Sequence, residues 1–265
     1  MITIGSLFSG IGGLELGLER AGLGPVLWQV EKDARCREVL AKHWPGVEQH
    51  EDVCTVDARK LAAVDLICGG FPCQDLSSAG SRAGITGPRS GLWNEFARIV
   101  AVCRPRFVVV ENIGGVAKAW VDRVRRDLGQ LGYPTLPIPL SARDLGAPHR
   151  RSRVFIVGAT ADTNGRGQHA QREHAEVAGA PFSLGDAMLH RRSWSERPGV
   201  QGWTESASRG GWASEPAVGR VVDGATGGLD GRRRRTRIRQ LGNAVVPQCA
   251  EVVGHVIRQL AEEAA

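Results

Sequence analysis

The sequence predicts an α/β fold, a mostly parallel sheet with helices on both faces. Two observations carry that prediction. Strand-like and helix-like segments alternate through roughly the first 160 residues, the pattern of a parallel sheet covered by helices. Residues able to bear chemistry, Gly10, Glu31, Cys73 and Glu111, fall at the ends of the strand-like segments. Open α/β sheets bind their ligands there. With 265 residues and 42% hydrophobic content, the chain can bury an ordinary core.

The elements follow in order. Residues 2–8 read as a strand and 13–21 as a helix, with Leu14, Leu16 and Leu18 among polar residues. Residues 26–30 form a short strand ending at Glu31, and 33–43 a helix stopped by Pro45. Residues 61–68 make a strand that stops abruptly at Gly69-Gly70-Phe71-Pro72. Residues 92–103 are helical in pattern, and β-branched 107–110 form a strand ending at Glu111. A helix over 121–131 is stopped by Gly132 and Pro134, and 153–157 is again a strand. Val252, Val253, Val256, Ile257 and Leu260 give residues 250–260 one apolar helical face.

Composition shifts near Thr160. Residues 161–231 are rich in Gly, Ser, Arg and Glu, and Trp194, Trp203 and Trp212 recur at equal spacing, each with a Glu close behind. The segment is either a loop-rich insertion with a tryptophan core or a region that contacts an anionic partner. Net charge is +6, and the most basic run is Arg232-Arg233-Arg234-Arg235-Thr236-Arg237-Ile238-Arg239. Such a run binds phosphates or is a solvated charged face. Six scattered cysteines without a Cys-x-x-Cys pair argue against a zinc site and a disulfide scaffold, so no metal is expected. Reduced thiols, no signal-like N-terminus and no apolar run of about 18 residues lead us to expect a soluble cytoplasmic protein that engages no membrane.

Several motifs have two readings from the residues alone. Phe8-Ser9-Gly10-Ile11-Gly12-Gly13 could cradle a nucleotide or let a helix pack closely. Glu31, at a second strand end, suits ribose hydroxyls. Cys73 is a rigidly held nucleophile or an inert buried thiol. Glu111 is a functional acid or a helix-entry carboxylate. His149-Arg150-Arg151-Ser152-Arg153 is a site element or a solvated basic turn. The Gly- and Ser-rich stretch from Gln74 to Arg89 is a lid or an ordinary surface loop.

Taken together, Ser6 to Gly13, Gly69 to Ser77, Glu111-Asn112 and Gln240 to Pro247 resemble, in order, the blocks of the DNA (cytosine-5)-methyltransferase family of bacteria and phages. That resemblance implies a Rossmann-like S-adenosylmethionine-dependent methyltransferase fold plus a small loop-rich target recognition region. It divides the chain into a catalytic and cofactor-binding domain at 1–160, a recognition region at 161–234 and a segment at 235–265 that returns to the catalytic domain.

The resemblance also implies roles. The expected catalytic residues are Cys73, Glu111, Arg151 and Arg153. Cys73 attacks C6 of a flipped-out cytosine, and Glu111 holds the N3 edge. S-adenosylmethionine is the expected cofactor. Its expected contacts are Phe8, Ser9, Gly10, Ile11, Gly13, Glu31, Asp52, Val53, Pro72, Leu92, Asn243, Ala244 and Val245. Double-stranded DNA is the expected partner of Gln74, Ser77, Arg82, Arg89, Arg233, Arg235, Arg237 and Gln240. A monomer is expected, with a cognate restriction endonuclease acting on the same site.

The chain departs from the family at Lys32, where other members place an aromatic over the adenine, and at His149, which replaces a glutamine. The Asn/Asp-Pro-Pro-aromatic block of amino-group methyltransferases is missing from the sequence. Three further readings stand beside the first: the tRNA-methylating branch of the same family, a catalytically silent DNA-binding relative, and a Rossmann-like oxidoreductase.

Overall fold

The computed structural model describes residues 1–72, 91–114, 117–160 and 240–263. Among them a seven-stranded sheet forms the centre. The strands are β1 (Ile4–Leu7), β2 (Val26–Val30), β3 (Glu48–His50), β4 (Leu66–Gly69), β5 (Phe107–Ile113), β6 (Thr135–Ser141) and β7 (Ser152–Ala159). The helices are α1 (Gly13–Arg20), α2 (Ala34–His43), α3 (Gly91–Cys103), α4 (Ala117–Gln130) and α5 (Pro247–Glu263). A short 3-10 turn, Ala142–Leu145, follows β6.

The strand order is β3-β2-β1-β4-β5-β7-β6. β1 to β5 run parallel, and β7 is antiparallel to both β5 and β6. From β1 the chain builds outward to β2 and β3, then jumps back to place β4 on the other side of β1. That reversal opens a crevice beyond the carboxyl ends of β1 and β4.

Alternation along the strands sends apolar side chains to both faces. Leu66, Cys68, Phe107 and Val109 meet α1 and α5 on one face. Ile67, Val108 and Val110 meet α3 and α4 on the other, where Trp93, Phe96, Trp120 and Val124 fill the layer. Helix α5 returns from the far end of the chain and packs on α1. The approach is close because Gly17 has no side chain. A Cβ there would collide with the Pro247 carbonyl and Ala250. Pro247 opens α5, where a missing N–H costs no helical bond.

The structure corrects several expected boundaries. β4 begins at Leu66 rather than residue 61, and Leu61 and Val64 are core residues of the preceding loop. β5 continues through Glu111 to Ile113, because β7 pairs with it along its whole length, Glu111 opposite Phe155. Two strands had no sequence signal. β3 is three polar residues long. β6 contains Pro137 and Pro139 and lies at the sheet edge. Edge strands tolerate proline, and these two share one parity, which leaves Leu136, Ile138 and Leu140 to donate to β7.

Candidate active site

A cavity of about 740 Å³ occupies the crevice. Its walls come from consecutive strand ends. Phe8 and Gly10 follow β1, Glu31 and Lys32 follow β2, and Asp52 and Val53 lie beyond β3. Gly70 to Pro72 follow β4, Glu111 to Ile113 come from β5, and Arg153 comes from β7. Leu92 of α3 and Gln240, Asn243 and Ala244 of the returning segment complete it.

One end of the cavity is built around Glu31. Its Oε2 accepts from the Gly10 N–H at 2.8 Å, and its Oε1 accepts from Asp33 N–H at 2.8 Å. Each carboxylate oxygen keeps a further lone pair free for a hydroxyl. Gly10 has positive φ, 58°, and no atom lies within 4 Å of where a side chain would begin, so a ligand can approach the backbone. Lys32 and Asp52 form an ion pair at 2.9 Å on the rim. The Asp52 carboxyl is held below its ordinary value, first by the Cys54 N–H and then by Lys32. Two arginines brace this end. Arg37 donates to the carbonyls of Glu31 and Lys32, both at 2.9 Å, and Arg98 donates to those of Val53 at 3.0 Å and Val56 at 3.1 Å.

The other end is built around Glu111, which is buried at 7% exposure. Its Oε1 lies 2.8 Å from Arg153 Nε. Burial raises the carboxyl to about 7, although Arg153 and Arg151 pull it down. A carboxyl poised there can hold or release a proton near neutrality. Gly70 makes the placement possible, since a Cβ on it would stand 2.6 Å from Glu111 Oε2. Asn112 is buried beside it. Its Nδ2 donates to the Phe71 carbonyl at 2.9 Å, while its Oδ1 accepts from Ile113 N–H at 2.8 Å. Phe71 is further fixed between Trp93 and Trp120, with ring centroids 5.6 Å and 6.2 Å away. The backbone that leads into Pro72 and Cys73 is therefore anchored on two sides.

A family model for C-5 cytosine-specific DNA methylase matches residues 2–188. The chain belongs to that family. The Type II methyltransferase M2.BsuMI of Bacillus subtilis is 34% identical over 233 residues, 80% of this chain and 58% of that protein. M.FnuDI of Fusobacterium nucleatum is 37% identical over 163 residues, 60% of this chain and 47% of that protein. The chain thus spans about half the length of the curated relatives it matches. A crystal structure described as a prophage-encoded DNA modification methyltransferase of Escherichia coli matches with TM-score 0.51 at 32% identity. It covers 60% of this chain and 47% of that one. The Entamoeba histolytica methyltransferase EhMeth matches with TM-score 0.54 at 19% identity, over 66% of this chain and 58% of that one, a likeness of fold alone.

Of the residues singled out in the sequence, Phe8, Gly10, Glu31, Asp52, Val53, Pro72, Leu92, Glu111, Arg153, Gln240, Asn243 and Ala244 line one cavity. Gln240 turns its amide to Cys36 Sγ of α2, at 3.4 Å. Ser9, Ile11, Gly13, Val245 and Arg151 do not line it. The Ser9 hydroxyl points down to Ser6 Oγ, at 2.9 Å. Gly13 backs onto the Val245 carbonyl. Arg151 reaches the other way and donates to the carbonyls of Gly242, at 2.8 Å, and Ala244. It ties the returning segment to the sheet. Cys73, Gln74, Ser77, Arg82, Arg89, Arg233, Arg235 and Arg237 lie outside the described residues. So do the tryptophan series and the rest of the 161–234 segment. Sequence reasoning did not single out Arg37, Gly70, Arg98 or Asn112 as site residues. Gly70 and Asn112 carried a signal, Gly70 in the run that ends a strand and Asn112 beside Glu111. No helix among the described residues is long and apolar enough to cross a membrane.

Proposed function

We propose that this protein methylates C5 of cytosine in double-stranded DNA, with S-adenosylmethionine as the methyl donor. The observation that carries the reading is the buried Glu111–Arg153 pair, 2.8 Å apart, with the Glu111 carboxyl raised to about 7 in a cavity that also reaches Glu31. The cofactor fits what is present: an accepting carboxylate at Glu31, an open backbone approach at Gly10 and a cavity of about 740 Å³. When bound, it supplies a methyl group activated by a sulfonium.

The protein's own residues do the rest. Cys73, as thiolate, adds to C6 of the base. Protonated Glu111 donates to N3 as the ring becomes an enamine, which makes C5 carbanion-like. Arg153 fixes the orientation of Glu111. After C5 is alkylated, the N3 proton returns to Glu111, solvent takes the C5 proton, and its electron pair re-forms the C5–C6 double bond as the C6–S bond breaks and releases Cys73 as thiolate. A duplex hides both carbons, so the target base leaves the stack.

Residues 161–234 form the recognition region in this reading, and residues 235–265 rejoin the domain built from 1–160. Arg233, Arg235 and Arg237 meet phosphates, as do Arg82 and Arg89 beside Gln74 and Ser77. M2.BsuMI and M.FnuDI are Type II methyltransferases. By that analogy, a restriction endonuclease of the same specificity is the natural counterpart. The proposal extends to a monomer acting in the cytoplasm. The test is base-resolution cytosine-methylation sequencing of plasmid from cells making the protein or its Cys73→Ser variant. A recurring 5-methylcytosine pattern lost in the variant is expected. The same pattern in both would remove Cys73 as the nucleophile, and no pattern in either would remove DNA as the substrate.

A further inference from the structure

One row of the sheet is polar where its neighbours are apolar. Ser6 of β1 pairs in register with Gln29 of β2 and with Cys68 of β4, so the three sit side by side on the face covered by α1. Glu15, in the first turn of α1, is fully buried and faces Ser6, Ser9 and Cys68. No well-formed hydrogen bond reaches either Glu15 carboxyl oxygen or the Gln29 amide. A leucine at position 15 would simply extend the apolar layer of Leu14 and Leu18. A buried carboxyl and a buried amide weaken the fold relative to that alternative. Burial raises the Glu15 carboxyl above its ordinary value, while Ser6 and Ser9 pull the other way.

What lies above this row gives it a purpose. Phe8 has φ 55°, in the left-handed region that non-glycine residues avoid. Such a conformation persists only where its surroundings hold it, and it gathers at functional sites. The turn is held from two sides. On the cavity side the Gly10 N–H donates to Glu31, at 2.8 Å. On the buried side the Ser9 hydroxyl donates to Ser6 Oγ, at 2.9 Å, within the polar row.

We propose that Glu15 is a positioning residue for the cofactor pocket, seating the Phe8–Gly10 turn on the sheet through Ser6 and Ser9 in the shape that accepts the sulfonium cofactor. The inference rests on the S-adenosylmethionine reading above. A purely structural role would move stability alone. A seat for the turn moves ligand affinity while stability holds.

The test titrates S-adenosylhomocysteine into the wild-type protein, Glu15→Gln and Glu15→Leu by calorimetry, alongside thermal unfolding of each without ligand. Glu15→Gln, which keeps the shape and polar capacity, is expected to bind as wild type does. Glu15→Leu is expected to unfold no earlier than wild type and to bind about tenfold more weakly, as when only about a tenth of the molecules keep the turn in its binding shape. Equal binding by wild type and Glu15→Leu overturns the inference and leaves the cofactor reading standing. Equal weakening in the Gln and Leu variants also overturns it. No binding by wild type overturns the cofactor reading itself. Should Glu15→Leu fail to fold, Glu15→Met takes its place: weaker binding at unchanged thermal stability supports the seat, and unchanged binding refutes it.

Discussion

Replacing Glu111 with glutamine should flatten the dependence of stability on pH. The folded protein holds the Glu111 carboxyl at about 7, against an ordinary 4.5, because burial disfavours the charge more than Arg153 and Arg151 favour it. Below about pH 4.5 the group is protonated in both the folded and unfolded chains, and it imposes no cost. As pH rises past that point the unfolded chain releases the proton while the folded chain retains it, so stability falls until the folded group ionises near 7. The interval corresponds to roughly 3 kcal/mol, of which about 2.5 kcal/mol falls between pH 5 and pH 8. Glutamine mimics the neutral acid and carries none of this dependence. Urea unfolding of both proteins at pH 5 and pH 8 measures it directly. Wild type should lose about 2–3 kcal/mol more than Glu111→Gln between the two conditions. Equal losses would mean that the carboxyl titrates as it does in water, and its role as a proton donor near neutrality would fall with it.

Three further predictions follow from contacts at the site. Asn112→Ala leaves the buried Phe71 carbonyl and Ile113 N–H without their partner, which should cost about 1–3 kcal/mol in urea unfolding. In single-turnover assays it should slow methyl transfer more than it weakens DNA binding. Arg151→Ala removes hydrogen bonds from a cation to the Gly242 and Ala244 carbonyls, worth about 1.5–3 kcal/mol, and hydrogen exchange should quicken at residues 240–246. Arg151→Lys should restore little of that protection, because a lysine cannot reproduce the planar fork. Gly70→Ala places a methyl group against Glu111 Oε2, so turnover should fall while the melting temperature changes little.

The sequence made the central strands legible because they obey a simple rule. Residues buried on both faces read as short apolar runs, and 26–30 and 107–110 are such runs. β3 and β6 escape that rule for different reasons. β3 is polar and short, and its pairing with β2 is fixed by its neighbours rather than by its own composition. β6 carries prolines that ordinarily exclude a strand, and only its edge position makes them harmless. The sequence pattern ends β5 too early because strand length is set by the partner. After Val110 the apolar run breaks at Glu111 and Asn112, yet β7 extends the pairing to Ile113 and so presents Glu111 from a rigid strand.

The candidate site divides along the same line. Residues that line the cavity sit beside glycine, proline or a strand end, which local pattern reveals. Residues that hold those in place act across long stretches of chain, where local pattern is silent. Arg151 reaches Ala244 across 93 residues, Arg98 reaches Val53 across 45, and Asn112 reaches Phe71 across 41. Arg151 belongs to both classes. The family resemblance names it among the catalytic residues, and its guanidinium binds the segment that closes the cavity while its charge reaches Glu111. The two arginines lie two residues apart on or beside β7, Arg153 pairing with Glu111 and Arg151 clasping the returning segment. Loss of Arg151 should therefore loosen the wall formed by Asn243 and Ala244 first and affect Glu111 only through its weaker charge. Loss of Arg153 should reach the Glu111 carboxyl at once, raising it further from its ordinary value.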